Sequence, residues 1–359
     1  MEQLPAQTQL TKLLHRKETL SIAALFLLLL FNLFFTPGFF SVQMRDGYFY
    51  GSLIDILKRG APLMFMVIGM TLVVATGSTD ISVGSVAAIS GAVVASLIGG
   101  EFIYEAGGVS STQTPLPIAF AAAIGVATLC GIWNGFLVSK LGIQALVATL
   151  MLQVAGRGIA QLITKGVIIT VYYKPFYEFG SGYFLGFPIS IYIVLVMAVL
   201  AILFVKKTSF GLFLESSGSN RSSSRYAGIK VQRMIWIAFA ISGFMAGIAG
   251  ILIASEVKSA DANNAGLNYE LDAILATVLG GNSLKGGRFS LGGSLIGALL
   301  VQTLTTTIYT KGVPAQTILV VKAAVVIIVG IIQTTDYGKL FKRFSKKASL
   351  PQQEAREEA

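Results

Sequence analysis

One cysteine and one histidine in 359 residues remove whole classes of chemistry. Cys130 has no partner for a disulfide and cannot complete a thiolate zinc site, so it is expected to pack as a small apolar residue. His15 lies in a polar N-terminal stretch, which leaves no Ser/His pair and no imidazole metal site within the apolar segments. A phosphate-binding loop is missing as well. The stretch "GNSLKGG", 281–287, has the glycines of one, but Gly287 stands where the lysine belongs and neither Ser nor Thr follows it; Arg288 does not repair the pattern. The chain is therefore expected to hydrolyse no ATP by itself, and to need no cofactor, catalytic residue or metal. Charge is scarce too: only 12% of residues are charged, where a soluble domain carries about a quarter.

What fills the chain instead is apolar, with 54% hydrophobic residues and a mean hydropathy of +0.74. Such a composition belongs in membrane lipid. A crossing helix needs about 20 mostly apolar residues, and runs that meet or approach this cover 20–35, 61–75, 81–98, 116–138, 146–164, 189–205, 234–254, 291–309 and 315–332. The segment "LDAILATVLGG", 271–281, is too short to cross unaided at about 1.5 Å per residue, and reads as a short or broken helix. Counting it gives about ten membrane segments, hence an all-α polytopic bundle. Lys12, Arg16 and Lys17 before the first run imitate a signal peptide, but "TPGFFSVQ" after it has no small-residue cleavage pattern, so the run reads as a retained first helix.

The net charge of +10 sits in short segments flanking apolar runs rather than in a patch interleaved with aromatics, which argues against nucleic acid and for an anionic leaflet. The basic segments are the tail 1–19, the loop 206–233 and the tail 334–359, which places them in the cytoplasm on either side of a membrane domain over 20–333. Both termini inside require an even number of crossings. The loop 99–115, with Glu101 and Glu105 but no cation, and the nearly neutral loop 165–187 then fall outside.

Polar groups within apolar segments are costly unless buried or facing water, and so mark a candidate path. They are Asp80, Asn134, Gln153, Arg157 and Gln302, with threonines 303, 305, 306 and 307 beside the last. Each has a plainer reading. Asp80 can be a helix N-cap; Asn134, among small residues, can mark close helix packing; the threonines can bond their own helix backbone. Gln153 and Arg157 share a helix face, turned to the bundle interior unless Arg157 snorkels. A faint echo links "DISVGSVAAISGAVV" after residue 79 with "RFSLGGSLIGALLV" after 287, as in transporters built from internal repeats.

The basic loop contains "SSGSNRSSSRYAGIKV", 216–231. Ser222 to Ser224 can cap a short helix, Tyr226 and Ile229 share one face, and Gly228 permits a close approach or a stop. Ala227 completes a compact apolar patch, ringed by Arg221, Arg225, Lys230 and Arg233. The plainer reading is a solvated linker.

Long stretches give the resemblance: "GMTLVVATGSTDISVGS" (69–85), "GIWNGFLVSKLGIQALVATLMLQVAGRGIAQLIT" (131–164), "YAGIKV" (226–231) and "GGNSLKGGRFSLGGSLIGALLVQTL" (280–304). The chain resembles the permease subunits of bacterial ABC-type monosaccharide importers, the ribose, galactose and galactofuranose group, over 53–333. Residues 42–57 and 258–281 look most like a galactofuranose permease. It departs from the family at Ser78 and Thr79, where a Gly-Ile pair is usual before the acid, and at Ser222 to Ser224, where alanines are usual.

The resemblance implies a monosaccharide importer subunit in the bacterial inner membrane. It implies three partners: a cytoplasmic ATP-binding subunit docked on Ser222 and Arg225 to Ile229, a periplasmic sugar-binding protein, and a second permease, identical or paralogous. Ribose, galactose and autoinducer-2 are the alternative cargoes. An ion-coupled secondary transporter is the alternative mechanism, for which only Asp80 and Asp272 are at hand.

Overall fold

Where an apolar run is long enough, a helix forms, because lipid leaves no other partner for backbone N–H and C=O groups. The computed structural model describes residues 17–312, apart from 46, 100–101, 104–107 and 110–113, together with 314, 317 and 319–324. The chain divides into a unit up to Thr307 and a second from Ile308, which begins with the last residues of α12.

In chain order the described elements are α1 (Lys17–Phe35), the hairpin β1 (Gln43–Arg45) and β2 (Tyr48–Tyr50), α2 (Ser52–Ala75), α3 (Val83–Ile98), β3 (Phe102–Ile103), β4 (Gly108–Val109), α4 (Leu116–Ser139) and α5 (Ala145–Ile163). Then follow β5 (Ile169–Thr170), α6 (Lys174–Ser181), β6 (Tyr183–Phe184), β7 (Phe187–Pro188), α7 (Ile189–Lys207), α8 (Ser209–Ser219), α9 (Arg221–Tyr226), α10 (Val231–Val257), β8 (Ser259–Ala260), α11 (Tyr269–Leu279) and α12 (Leu291–Thr310). The strands form antiparallel pairs, β1 with β2, β3 with β4, β5 with β8 and β6 with β7. They are additions to an otherwise helical bundle.

Six described helices, α2, α4, α5, α7, α10 and α12, are long and apolar enough to cross a membrane. The centre of the bundle is α2 and α10 with α3 between their neighbours, while α4, α5 and α7 turn large apolar side chains such as Leu129, Leu162 and Leu195 outward. That division suits lipid on the outer helices. Small residues let the central helices close up: a Cβ on Gly243 of α10 would stand 2.9 Å from Gly131 Cα of α4, the close backbone approach that membrane helices use in place of a hydrophobic drive. Cys130 packs beside Ala88, Ile89 and Ala92 of α3, as its composition suggested.

Several boundaries differ from the sequence reading. The run 61–75 is the second part of α2, which begins at Ser52 and carries Lys58, Arg59 and Pro62 inside it; Lys and Arg are good helix formers, and Lys58 lies over the Tyr183 ring at 5.8 Å. The run 81–98 yields α3, only 16 residues and roughly 24 Å long, too short to cross by itself. The short segment 271–281 is α11. The run 315–332 and both tails lie largely or wholly outside the described residues.

Candidate functional site

Between α2 and α3 the chain breaks over residues 76–82, and three other helices supply partners to Asp80, Ile81 and Ser82 there, while the buried Ser78 hydroxyl has none. Asp80 Oδ1 accepts from the Ser82 backbone N–H at 3.0 Å and from Ser82 Oγ at 2.6 Å. Its Oδ2 accepts from Ser242 Oγ of α10 at 2.8 Å. Asn134 Nδ2 of α4 donates to Ser82 Oγ at 2.9 Å, and Thr149 Oγ1 of α5 accepts from the Ile81 backbone at 3.2 Å. Asp80 is 2% exposed and Asn134 and Ser242 are fully buried. A carboxyl group buried at this depth is costly unless its oxygens are hydrogen-bonded, and these two hydroxyls and one backbone N–H bond both of them.

The cap reading of Asp80 needs correcting: the N-cap of α3 is Ser82, without a side-chain cap bond, and Asp80, two residues earlier, holds the Ser82 backbone N–H. The close packing suspected at Asn134 is present through Gly131 and Gly243, and it delivers the amide to Ser82. Asn134 Oδ1 is left as a buried acceptor with no hydrogen-bond partner.

A second polar seam runs along α5. Gln153, Arg157 and Gln161 follow one another at helical spacing; Arg157 and Gln161 meet the segment between α10 and α11, and Gln153 the first turn of α11. Gln153 Nε2 donates to Glu270 Oε1 at 2.8 Å. Arg157 Nη1 donates to the carbonyls of Ala262 at 3.1 Å and Ala265 at 2.5 Å, and Gln161 Nε2 to Asn263 Oδ1 at 2.5 Å. Arg157 thus faces the interior, as the sequence suggested, and pins a non-helical segment whose carbonyls have no helix to serve.

Glu270 was not singled out by the sequence reading. It lies in the first turn of α11 and is 3% exposed, with Oε2 buried and unpartnered. The first turn of α3 is its neighbour: a Cβ on Gly84 would collide with Glu270 Oε2 and the Gly266 carbonyl. Two short helices therefore meet N-terminus to N-terminus, and a carboxylate between them lies where both dipoles favour negative charge. The only sequence signal was an acid just ahead of a segment too short to cross.

Gln302 joins neither seam. Its side chain lies against Gly60 of α2, and no hydrogen bond among the described residues connects it to either. Thr303, Thr305 and Thr307 bond back to carbonyls of their own helix. Thr307 also accepts from Asn32 Nδ2 of α1 at 2.8 Å.

The basic loop is two helices rather than one. α8 begins at a Thr208 cap, and α9 is capped by Asn220, whose side chain accepts from the Ser223 backbone at 3.0 Å. The serines expected to cap lie inside α9. Ser222 is exposed, and Ser224 Oγ turns back to the Ser216 carbonyl at 2.8 Å. Past α9 the chain turns at Gly228, φ +82°, leaving Tyr226 93% exposed at the tip beside the exposed Ala227; Arg225 is exposed and Ile229 half-buried.

The pair of loop helices abuts the break after α2. Arg221 Nη2 donates to the Thr76 carbonyl at 3.2 Å, and the Ala75 carbonyl accepts from the Gly287 backbone at 3.0 Å. A Cβ on Gly218 would strike that same Ala75 carbonyl. The glycine-rich stretch 281–287 thus closes against α2 and α8, with Arg288 pairing Glu215 at 3.5 Å.

Residues 52–330 match the family described as branched-chain amino acid transport system / permease component. The chain is 44% identical to the galactofuranose transporter permease protein YtfT of Escherichia coli K12 over 321 residues, 89% of this chain and 91% of the relative. It is 36% identical to the fructose import permease protein FruF of Bifidobacterium longum over 95% of this chain and 94% of the relative. The ribose import permease protein RbsC of Haemophilus influenzae is 32% identical over 87% and 91%. No solved structure matches.

Proposed function

Because the chain belongs to this family of transport-system permease components, we propose that it is the membrane subunit of an ATP-driven importer carrying galactofuranose, or a related furanose or pentose, across the bacterial inner membrane. The three relatives compared all import monosaccharides, and identity is higher to the galactofuranose permease than to those for fructose and ribose. ATP hydrolysis belongs to a separate cytoplasmic subunit, a periplasmic binding protein delivers the sugar, and a second permease completes the pore. Both termini and the loop 206–233 face the cytoplasm, in ten crossings, supported by the lysine and arginine bias.

One observation carries the mechanism: the loop helices α8 and α9 touch the end of α2 immediately before the break that leads to Asp80. Closure of the ATPase moves α8 and α9; the Arg221 to Thr76 bond and the Gly218 contact pass that movement to residues 76–82. There Asp80 and Ser82 tie the break to α4 and α10, so a small displacement repacks the bundle between two access states. Asn134 Oδ1 and Glu270 Oε2, buried acceptors without partners, are suited to sugar hydroxyls once the path opens, with Gln153 and Arg157 beside them. Gln302 lines the path only if α2 and α12 part.

The experiment is reconstitution with the ATP-binding subunit, the binding protein and the second permease, and measurement of labelled sugar uptake. ATP-dependent accumulation of galactofuranose in preference to ribose is expected. Two buried carboxylates, Asp80 and Glu270, give ion coupling its best material, so accumulation by this chain alone under a proton or sodium gradient would favour that rival. Topology is read by labelling Tyr172→Cys in a Cys130→Ser background; reaction only from the cytoplasmic side overturns the orientation.

A further inference from the structure

At the end of α4 opposite its entry into the bundle, a cleft of about 610 Å³ lies between that helix and the start of α10. Lys140, Arg225, Lys230 and Arg233 line it together with Ile229, and no acidic side chain does; Arg225 and Ile229 belong also to the proposed ATPase contact. No ion pair among the described residues engages any of the four. The first turn of the 27-residue α10 opens into the cleft, and its N-cap, Lys230, supplies no side-chain cap. Four uncompensated cations around an uncapped helix N-terminus constitute a field for an anion.

An independent feature points the same way. Ser139, also lining the cleft, is 6% exposed, and its hydroxyl oxygen is buried without a hydrogen-bond partner. A buried hydroxyl left unpaired costs stability unless a ligand completes it. The side wall is aromatic: Trp236 and Phe136 are each about two-fifths exposed, and Phe136 stacks on Trp133. Trp236 is held in place by its indole N–H, which donates to the Ile132 carbonyl at 3.0 Å. Exposed rings on an outward-facing helix, level with a ring of cations, are the chemistry of the zone where headgroups meet acyl chains.

We propose that this cleft binds the phosphate of an anionic phospholipid, with the acyl chains lying along the Trp133 and Phe136 face of α4. The cations and the start of α10 hold the phosphodiester, and Ser139 Oγ donates to one of its oxygens. A soluble phosphate would satisfy the cations but leave the aromatic wall without an occupant. The inference rests on the cytoplasmic placement of this end, which the cysteine labelling tests separately; sugar uptake is not among its readouts.

The chain has two tryptophans; Trp236 lines the cleft and Trp133 stacks on Phe136, which also lines it, so native fluorescence reports on the cleft. The full chain is placed in phosphatidylcholine nanodiscs, and either brominated phosphatidylglycerol or brominated phosphatidylcholine is titrated in. Phosphatidylglycerol should quench at a lower mole fraction. Lys140→Gln with Arg233→Gln should reduce that preference roughly tenfold or more, while Lys206→Gln with Lys207→Gln, an equal charge change elsewhere, should retain it. Ser139→Ala should weaken it without altering helicity by circular dichroism. Equal quenching by the two lipids overturns the proposal, as does an unchanged preference in the Lys140/Arg233 variant. Loss of the preference with millimolar inorganic phosphate would reassign the cleft to a soluble anion, and loss only when the ATPase binds would make it a protein contact; either result overturns the lipid assignment.

Discussion

The guanidinium of Arg221, in the loop helix α9, donates to the carbonyl of Thr76, the residue that closes α2. The link joins a solvent-facing helix to the start of a buried break. Arg221→Ala should therefore uncouple rather than dissociate: the ATPase still co-purifies, while sugar uptake per ATP hydrolysed falls several-fold. Gly218→Val should be harsher, because its side chain would strike the Ala75 carbonyl. Unchanged coupling ratios in both variants would place the transmission contact elsewhere.

The apolar tip should carry the docking energy. Ala227→Glu or Gly228→Glu would bury a charge without a partner, at a cost of several kcal/mol, and should release the ATPase with membrane insertion intact. Gly228 adds a backbone penalty, since its φ of +82° suits few other residues. Ser222→Ala should be nearly silent, whereas Asn220→Ala should loosen α9 by about 1 kcal/mol through the lost cap. Co-purification and uptake measured side by side check all four.

Much of this was legible in the sequence and some was not. The apolar runs located the helices because hydropathy acts over whole segments, and Arg157 was legible because lipid is so poor a solvent for its charge. The cap of α9 was assigned to the serines although Asn220 precedes them; three serines in a row offered several caps, and the local sequence did not choose. Glu270 was overlooked for a different reason. Its environment comes from Gly84, almost two hundred residues earlier, and no local pattern encodes which two short helices meet.

Arg157→Ala should free the segment that follows α10. Losing hydrogen bonds from a charged donor to the Ala262 and Ala265 carbonyls costs about 1–3 kcal/mol, so uptake should drop. A cysteine at Asn263, in a Cys130→Ser background, should also label faster. Arg157→Lys should recover part of both, because one ammonium can reach only part of what the guanidinium spans. Full activity with unchanged labelling in the alanine variant would mean that the segment holds without this anchor.

Gly84→Ala should destabilise the protein by about 1–3 kcal/mol through overpacking, since the new methyl meets both Glu270 Oε2 and the Gly266 carbonyl. Glu270→Ala in the same chain should not restore thermal stability, because the carbonyl remains. Full rescue would show that the carboxylate alone fills the gap.

Asp261 gives a pH dependence with a defined sign. The Asn264 side chain, donating to Asp261 Oδ2 at 2.7 Å, holds its carboxyl below the usual value, with the Asn263 and Asn264 backbone N–H groups adding to the effect. A lowered native pKa means stability that is full above the ordinary carboxylate range and lost as pH falls through the native value. Between about pH 5 and about pH 2 the native chain should lose more thermal stability than Asp261→Asn. Parallel curves would show that the turn does not depend on the charge.

The pairing of Ile169 with Ala260, and of Thr170 with Ser259, makes one plate of two stretches far apart in the chain. Main-chain hydrogen bonds swing less than side chains do, so residues 169–170 and 259–260 are tied more closely than a side-chain contact would tie them. Lys258, just before the plate, and Asn268, just before α11, are both left-handed at φ of 59° and 64°. Whatever shifts one of the paired stretches therefore shifts the other, and with it the segment that Arg157 and Gln161 hold.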